Sequence, residues 1–234
     1  MPMYKLAQKL IAEFVGTFVL ALVSIGAICA DQYLIAMGKP GFGVLGIALA
    51  YGMAVAVMIA ALGHASDGHF NPAVTIGLWV TRRLGSIDTI LRWAAQLLGA
   101  LAGAYAIKVL VSDSIWGQVA LGTPALAPDF TRTHTMALEG ATAFLWVFVF
   151  FATLPDTNAT STIATGIAVG LTVTMCTLFA YPFTGAAMNP ARAFGPALAS
   201  RHWANHGVYW VGPLFGGILA AFIYDRCFLS QRSR

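Results

Sequence analysis

The sequence predicts an all-α membrane protein with six transmembrane helices and two re-entrant half-helices, arranged as an inverted repeat. Three observations support this fold class. Of the 234 residues, 59% are hydrophobic and only 9% are charged, whereas a soluble domain carries about 25% charged residues. The apolar runs are long and continuous, which favours helices over the short alternating strands of a membrane barrel. Matching motifs also recur in the same order in the two halves of the chain.

Six apolar segments are long enough to cross a hydrocarbon core of about 30 Å. The first contains Glu13 and is longer than the core of a signal peptide, so we interpret it as an uncleaved span. Two further apolar segments, 72–80 and 190–198, are too short to cross, and each fits either a surface helix or a half-span. The six long segments are approximately 9–30, 41–63, 89–111, 135–154, 160–181 and 207–229.

Repeated motifs divide the chain into two copies of one unit. A Gly-Ile-Ala tripeptide at 46–48 precedes Asn71, and a second at 166–168 precedes Asn189 at nearly the same distance. Each copy holds three spans and one short helix, and the copies cover approximately 5–111 and 134–229 of a single domain, 1–234. Because an odd number of spans inverts the second copy, the short segments are predicted to enter from opposite faces and meet near the midplane.

Both short segments begin with Asn-Pro-Ala. Asn is a favourable helix N-cap and Pro fits the first helical position, so the tripeptide begins a helix abruptly. A cap through the side-chain oxygen would leave the Asn amide N–H groups free to point into a lumen. Two such helices meeting head to head bring together two positive dipole ends of about half a charge each, which repel cations. One copy alone could be a simple turn, but the sequence has both: Asn71, Pro72, Ala73 and Asn189, Pro190, Ala191.

Several other function classes are disfavoured. No basic cluster exceeds two adjacent residues, so the net charge of +4 indicates no nucleic-acid partner. The three cysteines lack disulfide or metal spacing, and no two histidines share a predicted helix face at ligand spacing, so we expect neither metal nor cofactor. Cys176 has no histidine near it in sequence, so we expect no enzymatic activity. A secondary active transporter stays a remote alternative, because Glu13 and Glu139 are its only candidate coupling groups.

The distribution of basic residues predicts that both chain ends are cytoplasmic. Four basic residues fall on the outer side: Lys39, Lys108, Arg132 and Arg201. Eight fall on the inner side: Lys5, Lys9, Arg82, Arg83, Arg92, Arg226, Arg232 and Arg234. The short termini and the lack of eukaryotic targeting signals favour a bacterial inner membrane.

Three segments carry a resemblance that covers essentially the whole chain. They are AEFVGTF at 12–18, HFNPAVT at 69–75 and MNPARAFGPAL at 188–198. These segments resemble the aquaporin, or major intrinsic protein, family, in a bacterial water-channel-like branch with an atypical selectivity filter. The resemblance implies a homotetramer in the lipid bilayer, with one pore per subunit. Each pore would passively conduct water and small neutral solutes, and would exclude protons and ions.

The same resemblance implies roles for individual residues. It places the selectivity filter at Tyr51, Thr177, Ala186 and Arg192. The chemistry of arginine also suits Arg192 to a filter, because its side chain stays charged and presents five hydrogen-bond donors. An arginine at this place could instead extend its charged group to the membrane interface. Glu13 and Glu139 would accept hydrogen bonds from re-entrant loops. The backbone carbonyls implied to line the pore are those of Gly68, His69, Gly185 and Ala186.

The markers of solute preference conflict. Glycerol-conducting relatives typically carry Asp after the filter arginine, and this chain has Ala193 there; Tyr209-Trp210 also resembles the water branch. Strict water channels carry His where this chain has Thr177, so we expect a wider filter that passes water readily. Ammonia, hydrogen peroxide, urea, glycerol and undissociated metalloid acids of arsenic, antimony or boron are candidates for the broader alternative. Asp67 replaces a usual Gly, where it would either attract cations or bind the loop.

Overall fold

The computed structural model describes residues 4–154 and 161–229. Among these residues, six helices are long and apolar enough to span a membrane, namely α1, α2, α4, α6, α7 and α9. The predicted fold class is therefore confirmed. The helices are α1 Leu6–Ala36, α2 Gly43–Ser66, α3 Pro72–Val80, α4 Ser86–Leu110, α5 Asp113–Trp116, α6 Arg132–Ala152, α7 Thr162–Thr184, α8 Pro190–Ser200 and α9 Val208–Cys227, with one 3-10 turn at Ala120–Gly122.

The first span is longer than the sequence predicted, because its polar residues find partners without ending the helix. α1 continues through Asp31, whose Oδ1 accepts a hydrogen bond from the backbone N–H of Gly43 at 2.8 Å. Gln32 likewise bonds the side chain of Gln118 at 2.6 Å. Three residues of the predictions lie outside the described residues. They are Thr160, the predicted start of the fifth span, and Arg232 and Arg234, two of the eight basic residues predicted on the inner side.

The long helices pack in pairs at close range. α1 packs on α4, α6 on α9, and α2 on α7. Small residues make these contacts possible, because a β-carbon added at any of six helical glycines would lie within 2.7 Å of a backbone oxygen on the facing helix. These glycines form the three Gly-x-x-x-Gly pairs Gly99/Gly103, Gly166/Gly170 and Gly212/Gly216.

The two short helices lie between long helices from both halves of the chain. α3 packs mainly on α9 and α4, while α8 packs mainly on α4. They contain 9 and 11 residues, which corresponds to lengths of about 14 and 17 Å at the usual helical rise. Each therefore reaches about halfway through a hydrocarbon core of about 30 Å. The fold brings them into contact with each other at the site described next.

Candidate functional site

Both short helices begin at a buried asparagine that caps its own helix. Asn71 Oδ1 accepts a hydrogen bond from the backbone N–H of Ala73 at 2.8 Å. Asn189 Oδ1 accepts one from Ala191 at 3.0 Å, and the proline that follows each asparagine occupies the first helical turn. The Asn-Pro-Ala sequence therefore begins each helix in the way its residue types favour.

The two helix N-termini meet through reciprocal hydrogen bonds. Asn71 Nδ2 donates to the carbonyl oxygen of Met188 at 3.2 Å, and Asn189 Nδ2 donates to the carbonyl oxygen of Phe70 at 2.9 Å. One N–H of each amide is therefore used to join the loops, whereas the sequence predicts that both are free. Since an amide nitrogen carries two hydrogens, each asparagine keeps a second donor at this junction.

The loops before the two asparagines share an uncommon backbone conformation. Phe70 has φ of 47° and Met188 has φ of 54°, a region that residues with a β-carbon rarely adopt.

Buried polar backbone groups normally find hydrogen-bond partners. Within the described residues, however, no protein donor reaches the carbonyl oxygens of four loop residues, which are the predicted pore carbonyls of Gly68, His69, Gly185 and Ala186. These oxygens are available to a molecule that can donate hydrogen bonds.

Two buried carboxylates hold the loops in this shape. Glu13 accepts the backbone N–H of His69 on Oε1 at 3.1 Å and that of Phe70 on Oε2 at 2.8 Å. Glu139 accepts the N–H of Ala187 on Oε1 at 3.0 Å and that of Met188 on Oε2 at 2.6 Å. Each carboxylate therefore bridges two successive backbone donors just before the asparagine of its loop.

The carboxylate Glu13 has a buried basic partner, Arg92. The charge pattern predicts Arg92 among the basic residues of the inner side, but it lies within α4 with its side chain 1% exposed, and its Nη1 is 3.3 Å from Glu13 Oε1. Gln96, one turn later on α4, donates to Glu13 Oε2 at 2.7 Å and to Thr75 Oγ1 at 2.9 Å. Removing Arg92 from the eight predicted inner charges leaves seven against four, so the direction of the charge bias is unchanged.

The position of Asp67 selects between its two predicted roles. Its Oδ2 lies 3.7 Å from Arg92 Nη2, and its side chain is 65% exposed. Asp67 ends α2 in a left-handed conformation, with φ of 68°. The carboxylate is therefore paired with the guanidinium that supports the loop, which favours loop binding over attraction of cations from solution.

Two of the four predicted filter positions, Tyr51 and Arg192, lie close together, and Tyr51 also contacts the residue that follows a third, Ala186. Tyr51 donates its hydroxyl to the carbonyl of Ala187, directly after Ala186, at 3.0 Å. The guanidinium carbon of Arg192 lies 5.9 Å from the centre of the Tyr51 ring. Thr177 is buried on α7 and donates its hydroxyl to the carbonyl of Val173 at 2.8 Å. No hydrogen bond or ring contact in the described part of the chain joins Thr177 to the other three.

Arg192 is buried rather than exposed at a membrane interface. Its exposed fraction is 2%, and neither Nε nor Nη1 has a hydrogen-bond partner within residues 4–154 and 161–229. A cavity of about 210 Å³ adjoins Arg192, Gly185 and Tyr181 beside the 3-10 turn. Arg192 is therefore a buried residue that lines a cavity and has unpaired donors, which argues against the snorkelling alternative.

Comparison with known proteins identifies the family of this chain. The sequence model of the major intrinsic protein family matches residues 2–224. The chain is 39% identical to aquaporin TIP4-4 of Zea mays over 228 residues, covering 96% of this chain and 88% of the relative. It is 36% identical to aquaporin-4 of Bos taurus over 221 residues, covering 93% of this chain and 66% of the relative. The chain thus spans just under two thirds of that protein's length.

A solved structure shares the fold. The X-ray structure of the aquaglyceroporin from Plasmodium falciparum superposes with a TM-score of 0.83 at 22% identity, covering 95% of this chain and 97% of that one. At this identity the likeness concerns the fold alone. With the family match along nearly the whole chain, it leads to one conclusion: this chain belongs to the major intrinsic protein family.

Proposed function

We propose that this multi-pass membrane protein is a passive channel that conducts water and excludes protons and ions. The observation that carries the proposal is the junction of α3 and α8, where Asn71 and Asn189 donate to opposite loops. A helix N-terminus presents unpaired N–H groups and about half a positive charge. Two of them at one buried point disfavour a cation, while each asparagine's second N–H can bind a neutral oxygen atom.

The neighbouring groups give a water molecule both kinds of partner. The carbonyls of Gly68, His69, Gly185 and Ala186 would accept its hydrogens, and Arg192 together with the asparagines would donate to its oxygen. An arginine and the positive ends of half-helices are the established barrier to protons and cations in aquaporins. In this proposal, Pro72, Ala73, Pro190 and Ala191 set the helix starts, while Glu13 and Glu139 position the loops.

Passage of larger neutral solutes is a second candidate function, supported by the filter. Ala186 and Thr177 are small, and the Thr177 hydroxyl donates its hydrogen to the Val173 carbonyl. Together with Tyr51 and Arg192, they would form a filter with few fixed donors and more room than one containing histidine. Urea, glycerol, ammonia, hydrogen peroxide and undissociated metalloid acids are the solutes to test.

The larger organisation follows from the repeat and the family resemblance. In the proposal, residues 1–234 form one channel domain made of inverted repeats over 5–111 and 134–229. Four subunits form a homotetramer in a cell inner, or plasma, membrane, with both chain ends cytoplasmic. Chemical cross-linking in native membranes tests the tetramer, and reporter fusions at each chain end test the orientation.

Stopped-flow light scattering of proteoliposomes tests the function directly. Purified protein should raise the rate of osmotic shrinkage above that of protein-free vesicles and lower its activation energy. The flux should depend linearly on the osmotic gradient and should not respond to proton or sodium gradients. Saturation of the flux, or coupling to an ion gradient, would favour the secondary transporter instead.

A further inference from the structure

Unpartnered polar atoms mark one aromatic residue outside the predicted site. Within the described residues, the buried side-chain atoms without a hydrogen-bond partner belong to His69, Arg92, Gln96, Trp146 and Arg192. Four of these residues lie in the loops, the filter or the Glu13 network. The fifth, Trp146, lies on α6 and is 1% exposed, and its indole Nε1 has no partner in the described part of the chain.

A buried indole N–H without a partner is unusual. Tryptophan side chains generally pair this donor when they are buried, because an unmade hydrogen bond in an apolar interior is unfavourable. An exception is expected where the donor faces a passage that holds water, since a mobile molecule can then accept the bond. Arg192 Nε and Nη1 share this property in the proposed filter.

Two ring contacts place Trp146 beside the proposed passage. Its ring meets that of Tyr51 edge to face, with 6.2 Å between centroids. Phe150, one helical turn later, meets the ring of His69 edge to face at 5.9 Å. Because residues four apart lie on one helix face, this face of α6 is turned towards Tyr51 of the filter and His69 of the first loop.

We propose that Trp146 lines the passage and determines its specificity. This inference rests on the proposed function, and in it the Trp146 side chain has two roles. The indole N–H donates to the permeating molecule, and the ring limits the width of the passage next to Tyr51. The limit lies next to Tyr51, so Trp146 discriminates against urea and glycerol although the small residues Thr177 and Ala186 leave the filter itself wide.

Permeability ratios test the effect on width. W146L should raise urea and glycerol permeability relative to water by roughly tenfold, the scale at which one or two methylene groups discriminate in a selective pocket. The matched control is F151L. Phe151 lies five residues after Trp146 on α6 and is fully buried, and its ring centroid is 6.4 Å from that of Tyr224 on α9. F151L should leave the ratios unchanged. Equal ratios in wild type and W146L would overturn the inference.

The donor is tested by W146F, which keeps an aromatic ring but has no N–H. Water permeability should fall several-fold in W146F, although the smaller ring widens the passage. Unchanged or increased water permeability in W146F would overturn the assignment of the indole as a donor. Wild-type water permeability above that of empty vesicles, measured in the same series, reports separately on the proposed function.

A chemical readout does not depend on transport. W146C and F151C are each treated with iodoacetamide, a small neutral reagent, and labels are counted by intact-protein mass spectrometry against the wild-type cysteines. W146C should gain one label faster than F151C, because water and reagent reach its thiol through the passage. Equal labelling of the two variants would overturn the inference even if the wild-type protein conducts water.

Discussion

Arg92 on α4 and Tyr209 on α9 support the two re-entrant loops in the same way. Arg92 Nη1 donates to the carbonyl of Ser66, and the Tyr209 hydroxyl donates to the carbonyl of Thr184 at 2.9 Å. Ser66 and Thr184 are the last residues of α2 and α7, directly before the loops. The loop after α2 is therefore held by the cation of Arg92, and the loop after α7 by the neutral phenol of Tyr209.

This difference predicts unequal roles for the two carboxylates. Glu13→Gln removes the carboxylate beside Arg92 and leaves a buried guanidinium, which should lower the free energy of unfolding by about 3–5 kcal/mol. Glu139→Gln weakens hydrogen bonds but breaks no contact ion pair of the described residues, so about 1–3 kcal/mol is expected. Thermal or denaturant unfolding in detergent compares them, and Arg92→Tyr added to Glu13→Gln should recover part of the loss. Equal losses would contradict this account of Arg92.

The junction between the half-helices should not tolerate a negative charge. Asn189→Asp replaces the Nδ2 donor, which bonds the Phe70 carbonyl at 2.9 Å, with an oxygen that repels it. The carboxylate would also offset the positive helix ends, so sodium leak into proteoliposomes should rise and water permeability should fall. Asn205→Asp is the control, since Asn205 Oδ1 accepts from Arg132 Nε at 2.7 Å and an aspartate keeps that bond. The leak should not change in the control variant.

The filter assignment predicts a change in solute preference. Thr177→His together with Ala186→Cys narrows the space beside Arg192 and adds a donor, so urea and glycerol permeability should fall more than water permeability. Parallel stopped-flow measurements with each solute check the ratio, and the two single variants show which position contributes more. An equal fall in all fluxes would mean that the filter is elsewhere.

Arg192 should act through its position rather than its charge alone. Arg192→Val should increase proton leak, measured as pH equilibration of vesicles loaded with a fluorescent indicator, because it removes a buried cation beside the passage. Arg201→Asn removes the same charge from the exposed residue that follows α8, whose left-handed backbone asparagine tolerates, and leak should not change. Leak of similar size in both variants would indicate a general effect of surface charge.

Sequence patterns were sufficient for the number and approximate positions of the six long helices and for the starts of the two short ones. The Asn-Pro pairs gave the first residues of α3 and α8 because capping is a local property of a few residues. Glu13 and Glu139 stood out as functional candidates because carboxylates are rare and costly in apolar spans, and the family resemblance implied their role at the loops. The remaining part of the site could not be predicted from spacing, because it depends on contacts between distant segments.

Two residues illustrate this limit. Arg92 lies near a predicted span end and looks like an interfacial charge; only packing of α4 on α1 places it beside Glu13. Trp146 looks like any large apolar residue within a span, and its unpartnered N–H is visible only once neighbouring side chains are in place. The one signal for Arg92 in the sequence is that it falls inside the predicted span 89–111, three residues from its start.

The most direct test of the central claim measures water and proton fluxes in the same proteoliposomes. One aliquot is shrunk osmotically while its scattering is recorded, and another receives a pH step while an internal indicator is followed. We predict that wild-type protein raises water permeability well above that of protein-free vesicles and leaves the rate of pH equilibration unchanged. Proton flux that rises in step with water flux would contradict a passage guarded by the joined termini of α3 and α8.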